Sequence, residues 1–128
     1  MNTALFFVTH EGIASSLLRI GEAVIGKPVH NIGFHEVAMD SSVLQAMNII
    51  EGKLSTLDLS DNLIFITDII GATPSNIAQE MANKYGAKLI SGLSLPMVIR
   101  LFNYREGDAS DLIEKALEGA RESIVELK

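Results

Sequence analysis

The sequence predicts an α/β protein built on a flavodoxin-like doubly wound parallel sheet, with strand order 2-1-3-4 and helices on both faces. Three observations lead there. The first run, Ala4 to Thr9, is apolar without a break as far as Val8, as a central parallel strand covered on both faces requires. Short β-rich runs then alternate with longer stretches of helical period, the pattern of βαβ units. Cap and breaker residues bound the helical stretches where crossovers would begin or end, and right-handed crossovers leave few arrangements of such units.

Element by element, His10 sits at the exit of the first strand. From about Gly12 to Ile25, the residues Ile13, Leu17, Leu18, Val24 and Ile25, with small Ala14 and Gly21, keep helical spacing. Gly26 and Pro28 stop that helix. Val29 to Phe34 reads as the second strand, which leaves His35, Glu36 and Asp40 in the loop that follows. Ser41 to about Gly52 is the second helix, with Ser41 or Ser42 as N-cap. Leu63 to Thr67 is the third strand, and Asp68 leaves it as His10 leaves the first. A Gly71-Ala72-Thr73-Pro74 turn follows, with Thr73 the natural N-cap and Pro74 the natural first residue of a helix that runs to Tyr85 and ends at Gly86. Ala87 to Ile90 is the fourth strand, and Ser91 to Pro96 leads into a short helix. From about Ser110 to Lys128, Leu112, Ile113, Ala116, Leu117, Ala120, Ile124 and Leu127 predict a terminal amphipathic helix.

Composition narrows the function. A chain of 128 residues, 48% hydrophobic and 20% charged, fits one domain over residues 1–128 that can build a core without staples. It has no cysteine, which excludes disulfides, thiolate catalysis and sulfur-ligated zinc. His30 and His35 are five apart, so even on one strand they would face opposite sides, a poor arrangement for a shared metal, and no metal or cofactor is expected. The net charge of −6 and the scattered Lys and Arg residues argue against nucleic acid and anionic membranes and suit a basic protein partner. The apolar run at the N-terminus ends at Val8, too short for a signal peptide or a spanning helix, so the expected location is cytoplasmic.

The predicted topology brings His10 and Asp68 to the carboxyl ends of strands 1 and 3, beside the crevice where doubly wound sheets bind ligands. A carboxylate bonded to one ring N–H fixes the tautomer, frees the other nitrogen to attack and stabilises a cationic ring. Such a histidine can carry a phosphoryl group. Its oxygens need donors, which the backbone N–H groups near Gly12 and at Gly71, Ala72 and Thr73 can supply, with the Thr73 hydroxyl as a further one. Gly21 to Lys27 matches most of a P-loop, but a helix precedes it and Pro28 follows where Ser or Thr is required. His35 is a candidate for the crevice rim.

Three segments carry a resemblance: Phe7-Val8-Thr9-His10 with the helix bearing Leu17, Leu18, Glu22 and Gly26; Thr67-Asp68-Ile69-Ile70-Gly71-Ala72-Thr73-Pro74-Ser75-Asn76; and Ser91-Gly92-Leu93-Ser94-Leu95-Pro96-Met97. The chain resembles the mannose/fructose-type enzyme IIA components of the bacterial phosphoenolpyruvate-dependent sugar phosphotransferase system. The resemblance implies that His10 accepts phosphate from the phosphocarrier HPr and gives it to a IIB protein, that Asp68 bonds the histidine, and that Thr73 lies near the phosphoryl group. It also implies that the chain can form a homodimer. Three positions depart from the family pattern: Glu11 replaces the glycine after the histidine, Ala72 replaces the second glycine of the turn, and Ser94 replaces an asparagine. Two other roles share these features, the phosphocarrier subunit of a dihydroxyacetone kinase and a regulatory protein that senses phosphorylation state without transport.

Overall fold

The computed structural model describes residues 2–128. Its elements in chain order are β1 (Ala4–His10), α1 (Ile13–Ile25), β2 (Ile32–Val37), α2 (Val43–Leu54), β3 (Leu63–Thr67), α3 (Thr73–Tyr85), β4 (Lys88–Ile90), α4 (Leu95–Asn103) and α5 (Ala109–Glu122). The sheet is parallel throughout, in the order β2-β1-β3-β4, as the alternating pattern predicts.

The apolar run of β1 is explained by its central place. Phe7 stands level with Phe34 of β2 and Ile66 of β3, and residues 4 to 8 are fully buried. Alternate side chains enter two separate cores. Leu5 and Phe7 join Ile64, Ile66 and residues of α1, α4 and α5 on one face. Phe6 and Val8 join Phe65, Val37 and residues of α2 and α3 on the other, where the Phe6 and Phe65 rings meet edge to face at 5.9 Å.

Three expectations are corrected. β2 begins three residues later than the run Val29 to Phe34 suggests, at Ile32. The Val29 amide is taken by the Glu22 carboxylate at 2.9 Å, and Asn31 turns left-handed (φ 60°) while its amide side chain bonds the backbone of Asp58. The chain can pair with β1 only after that turn. His35 and Glu36 therefore lie within β2, and His30 is exposed ahead of it.

Second, the N-cap of α3 is Ala72, and Thr73 is its first helical residue. Ser75 supplies the missing cap chemistry by folding back, its hydroxyl accepting from the Ala72 amide at 3.1 Å and donating to the Ala72 carbonyl at 2.7 Å. Third, α5 ends at Glu122, and Ile124, Val125 and Leu127 beyond it are exposed. Their helical spacing continues the pattern of Leu112 and Ala116, but no neighbouring element covers them, and packing is what sustains most helices.

Near the other end of the sheet, buried Arg105 donates to the Thr3 carbonyl, tying the segment after α4 to the start of β1. The contact of α1 with α4 depends on Gly21, where a Cβ would lie 2.6 Å from Val98 Cγ1 and 2.9 Å from Phe102 Cε2. Gly21→Ala is expected to destabilise the fold by about 1–3 kcal/mol through overpacking. Gly52→Ala, on α2 with open space around its Cβ, is expected to stabilise it by roughly 0.5–1 kcal/mol. Urea unfolding midpoints of the two variants should move in opposite directions.

Candidate functional site

At the carboxyl edge of the sheet, β1 and β3 deliver a histidine and an aspartate that are far apart in sequence. His10 Nδ1 lies 2.8 Å from Asp68 Oδ2, and the same oxygen accepts the His10 backbone N–H at 3.0 Å. The second oxygen, Oδ1, accepts the Ile69 amide at 3.1 Å. A carboxylate can only accept here, so Nδ1 carries the ring proton and Nε2 keeps its lone pair. Nε2 has no hydrogen-bond partner among the described residues. The His10 side chain is 40% exposed and that of Asp68 13%, so the base is held from within while the reactive edge meets solvent.

Partial burial pushes the Asp68 carboxyl up, but the hydrogen bonds from the His10 amide and ring outweigh it and hold the group below the ordinary aspartate value. The Asp68 carboxylate stays ionised at neutral pH, as an orienting partner must.

His10 shares a cavity of about 320 Å³ with Val37 and Met39 from the end of β2 and with Gly71, Ala72, Thr73 and Asn76 at the start of α3. The predicted residues Gly71, Ala72 and Thr73 are thus brought to the histidine. Gly71 adopts φ 81°, a left-handed conformation that favours glycine. Ala72 has no side-chain acceptor to offer the helix start, so the first turn of α3 faces the cavity without an internal anion. A larger cavity of about 500 Å³ lies against α5, lined by Tyr104, Glu106, Asp111 and Lys115 among others. Its lining flanks Arg105, which meets the start of β1 at Thr3, and it holds no histidine.

Gly12 lies in a different setting. The start of α1 is already closed by side chains of the sheet: Thr9 Oγ1 accepts the Ala14 amide at 3.1 Å, and Glu36 Oε2 accepts the Ser15 amide at 2.8 Å and the Ser15 hydroxyl at 2.6 Å. The Gly12 amide also faces this carboxylate and, after the Ser15 bonds, helps hold the Glu36 carboxyl below its ordinary value against the opposing effect of burial. The two helix starts beside His10 thus differ: α1 is filled by an anion of the protein itself, and α3 is not.

Glu36 is the site residue that sequence reasoning missed. Its signal was the register: once β2 runs to Val37, Glu36 stands level with Thr9, beside the entry of α1. His35 lies off the cavity; its Nδ1 is 3.4 Å from Lys53 Nζ, and burial, followed by the Lys53 charge, lowers its pKa. Among the described residues, no group of three or more acidic or histidine side chains is arranged to hold a metal ion, and no helix is long and apolar enough to cross a membrane.

A family model described as "PTS system fructose IIA component" matches residues 4–118. The PTS system mannose-specific EIIAB component of Escherichia coli (strain K12) is 27% identical over 131 residues, an alignment that takes in the whole chain and 40% of that protein. The chain therefore spans well under half the length of the curated relatives it matches. Among solved structures, the mannose/sorbose-specific IIA subunit from Enterococcus faecalis superposes with a TM-score of 0.85 at 15% identity, covering 100% of this chain and 96% of that one. The phosphotransferase system component EIIA from Streptococcus agalactiae does so with a TM-score of 0.81 at 21% identity, covering 97% and 96%. At those identities the likeness is one of fold.

The site carboxylates contribute to the acid sensitivity of the fold. Asp68 and Glu36 both have folded-state values below their ordinary ones, so the unfolded chain binds more protons in mild acid, and stability falls as pH drops. Their contribution is complete above about pH 5 and is lost as pH falls through the folded values. Glu36→Gln removes one such group, so stability should fall less steeply between about pH 6 and pH 3 than in the wild type. Urea midpoints across that range measure the slope.

Proposed function

Since the chain belongs to the PTS system fructose IIA component family, we propose that it is a phosphocarrier of sugar uptake, accepting a phosphoryl group from HPr on His10 and passing it to a IIB partner. The observation that carries this role is the bond from His10 Nδ1–H to Asp68 at 2.8 Å, with Nε2 left free beside the start of α3.

In the step proposed, Nε2 attacks phosphorus in line as the P–N bond to the donor histidine breaks, and the donor keeps the electron pair. The His10 ring gains positive charge, which the Asp68 carboxylate offsets through the proton retained on Nδ1. The phosphoryl oxygens take the Gly71 and Thr73 amides and the Thr73 hydroxyl, since the expected Ala72 amide is already held by Ser75. The reaction is then reversed toward the acceptor, with catalysis from positioning and charge stabilisation. No metal or nucleotide takes part.

The rim of the cavity supports transfer between proteins. Met39, Ile69 and Ile70 are exposed at 93%, 56% and 76%, apolar surface that a docked partner would cover. The net charge of −6 favours a basic donor surface. The same features suit a cytoplasmic protein meeting soluble donors.

The test is incubation with phosphoenolpyruvate, enzyme I and HPr followed by mass spectrometry under non-acidic conditions. A single acid-labile phosphate on His10 is expected, and His10→Ala should abolish it while leaving the circular dichroism spectrum unchanged. Labelling of the alanine variant at the wild-type level refutes the role. Asp68→Asn should slow labelling on the order of 10–100-fold, because the ring loses its fixed orientation.

A further inference from the structure

Two carboxylates grip the connection between β1 and α1 from opposite sides. Asp68, from β3, holds the His10 amide and ring. Glu36, from β2, holds Ser15 through both its amide and its hydroxyl. Between these two anchors the chain makes its turn at Glu11 and Gly12, where Gly12 takes φ 85°. We infer that Glu36 is a positioning residue for His10: its carboxylate fixes the start of α1 and thereby the backbone from which the imidazole reaches Asp68, an inference that rests on the carrier role proposed above.

The His10 backbone is held on one side by Asp68 and on the other by pairing with Val37 of β2, but the turn that follows it leaves the sheet. The course of that turn, and with it the direction in which the ring is presented, is set by ties further along. Thr9 provides one to Ala14, and Glu36 the next to Ser15, one residue on. Glu36 is set within a strand paired to β1, level with Thr9, so the tie runs to the rigid sheet. Bonds to an ionised carboxylate are also roughly twice as strong as neutral ones, and a negative charge at a helix start is further favoured by the helix dipole.

The Glu36 tie also gives the cavity its asymmetry. With the α1 start occupied by Glu36, an incoming phosphoryl group is repelled from that helix and directed to α3. Glu11, directly after His10, is exposed and makes none of these bonds. Of the two glutamates near the turn, Glu36 is the one built into it.

The deciding experiment combines labelling kinetics with ¹⁵N NMR of the His10 imidazole, comparing the wild type with Glu36→Gln and Ser15→Ala. Glu36→Gln keeps an acceptor of the same length but loses the charge. It is expected to lower kcat for labelling by phospho-HPr roughly ten-fold with KM unchanged, and to mix the Nε2–H tautomer into a resonance pattern that is Nδ1–H in the wild type. Ser15→Ala should move both in the same direction by less. A wild-type kcat in Glu36→Gln, or a loss confined to KM, together with an unchanged ¹⁵N pattern, overturns the inference while leaving the carrier role intact. If the wild-type chain is not labelled at His10, the carrier role itself fails, and the tautomer comparison alone decides whether Glu36 positions the ring.

Discussion

The hydrogen bond from the His10 ring to Asp68 is the constraint on which the site depends, and the fold is what makes it available. Neither residue can reach the other along the chain. Parallel pairing of β1 with β3, in a register that sets Val8 level with Thr67, brings both strand exits to one place. That register is held in turn by buried side chains that would be turned to the wrong face by a slip of one residue. The chemistry of a titratable pair therefore rests on the packing of Phe6, Phe7, Phe65 and Ile66, fully buried at the centre of the sheet.

The sheet does a second task at the same edge. Thr9 and Glu36, adjacent on β1 and β2, point toward α1 and satisfy its first amides, whereas His10 emerges on the side of α2 and α3. Alternation along a strand thus separates two roles within two residues: one side chain closes a helix and the next faces an open cavity. This division accounts for the different behaviour of the two glycine-bearing turns, at Gly12 and at Gly71, that look equivalent as candidate anion sites.

Much of this was legible in the sequence, for reasons that differ by element. The strands β1 and β3 were readable because burial on both faces demands unbroken apolar runs. The order of the sheet followed from the handedness of crossovers, and His10 and Asp68 from their places at the strand ends. β2 was misplaced because an edge strand has a weaker pattern, and because the bonds that delay it, Glu22 to the Val29 amide and Asn31 to Asp58, are tertiary. Glu36 was hidden for the same reason, since its role appears only once the register is known. The start of α3 misled through a residue preference: Thr73 looks like a cap, yet Ser75 does that work from inside the helix. The end of α5 misled because spacing says where a side chain would point, and nothing about whether a surface awaits it.

Thr9 shows what such an arrangement asks of a single position. It is fully buried in a strand among apolar neighbours, and its hydroxyl both donates to the His10 carbonyl at 2.8 Å and accepts from Ala14. Valine has nearly the same shape and suits a strand at least as well. By volume the exchange is silent, yet it would strip the buried Ala14 amide and the half-buried His10 carbonyl of their partner at once. Tolerance at this position should follow the oxygen and ignore the size, so that serine, the smaller and poorer strand former, is the better substitute.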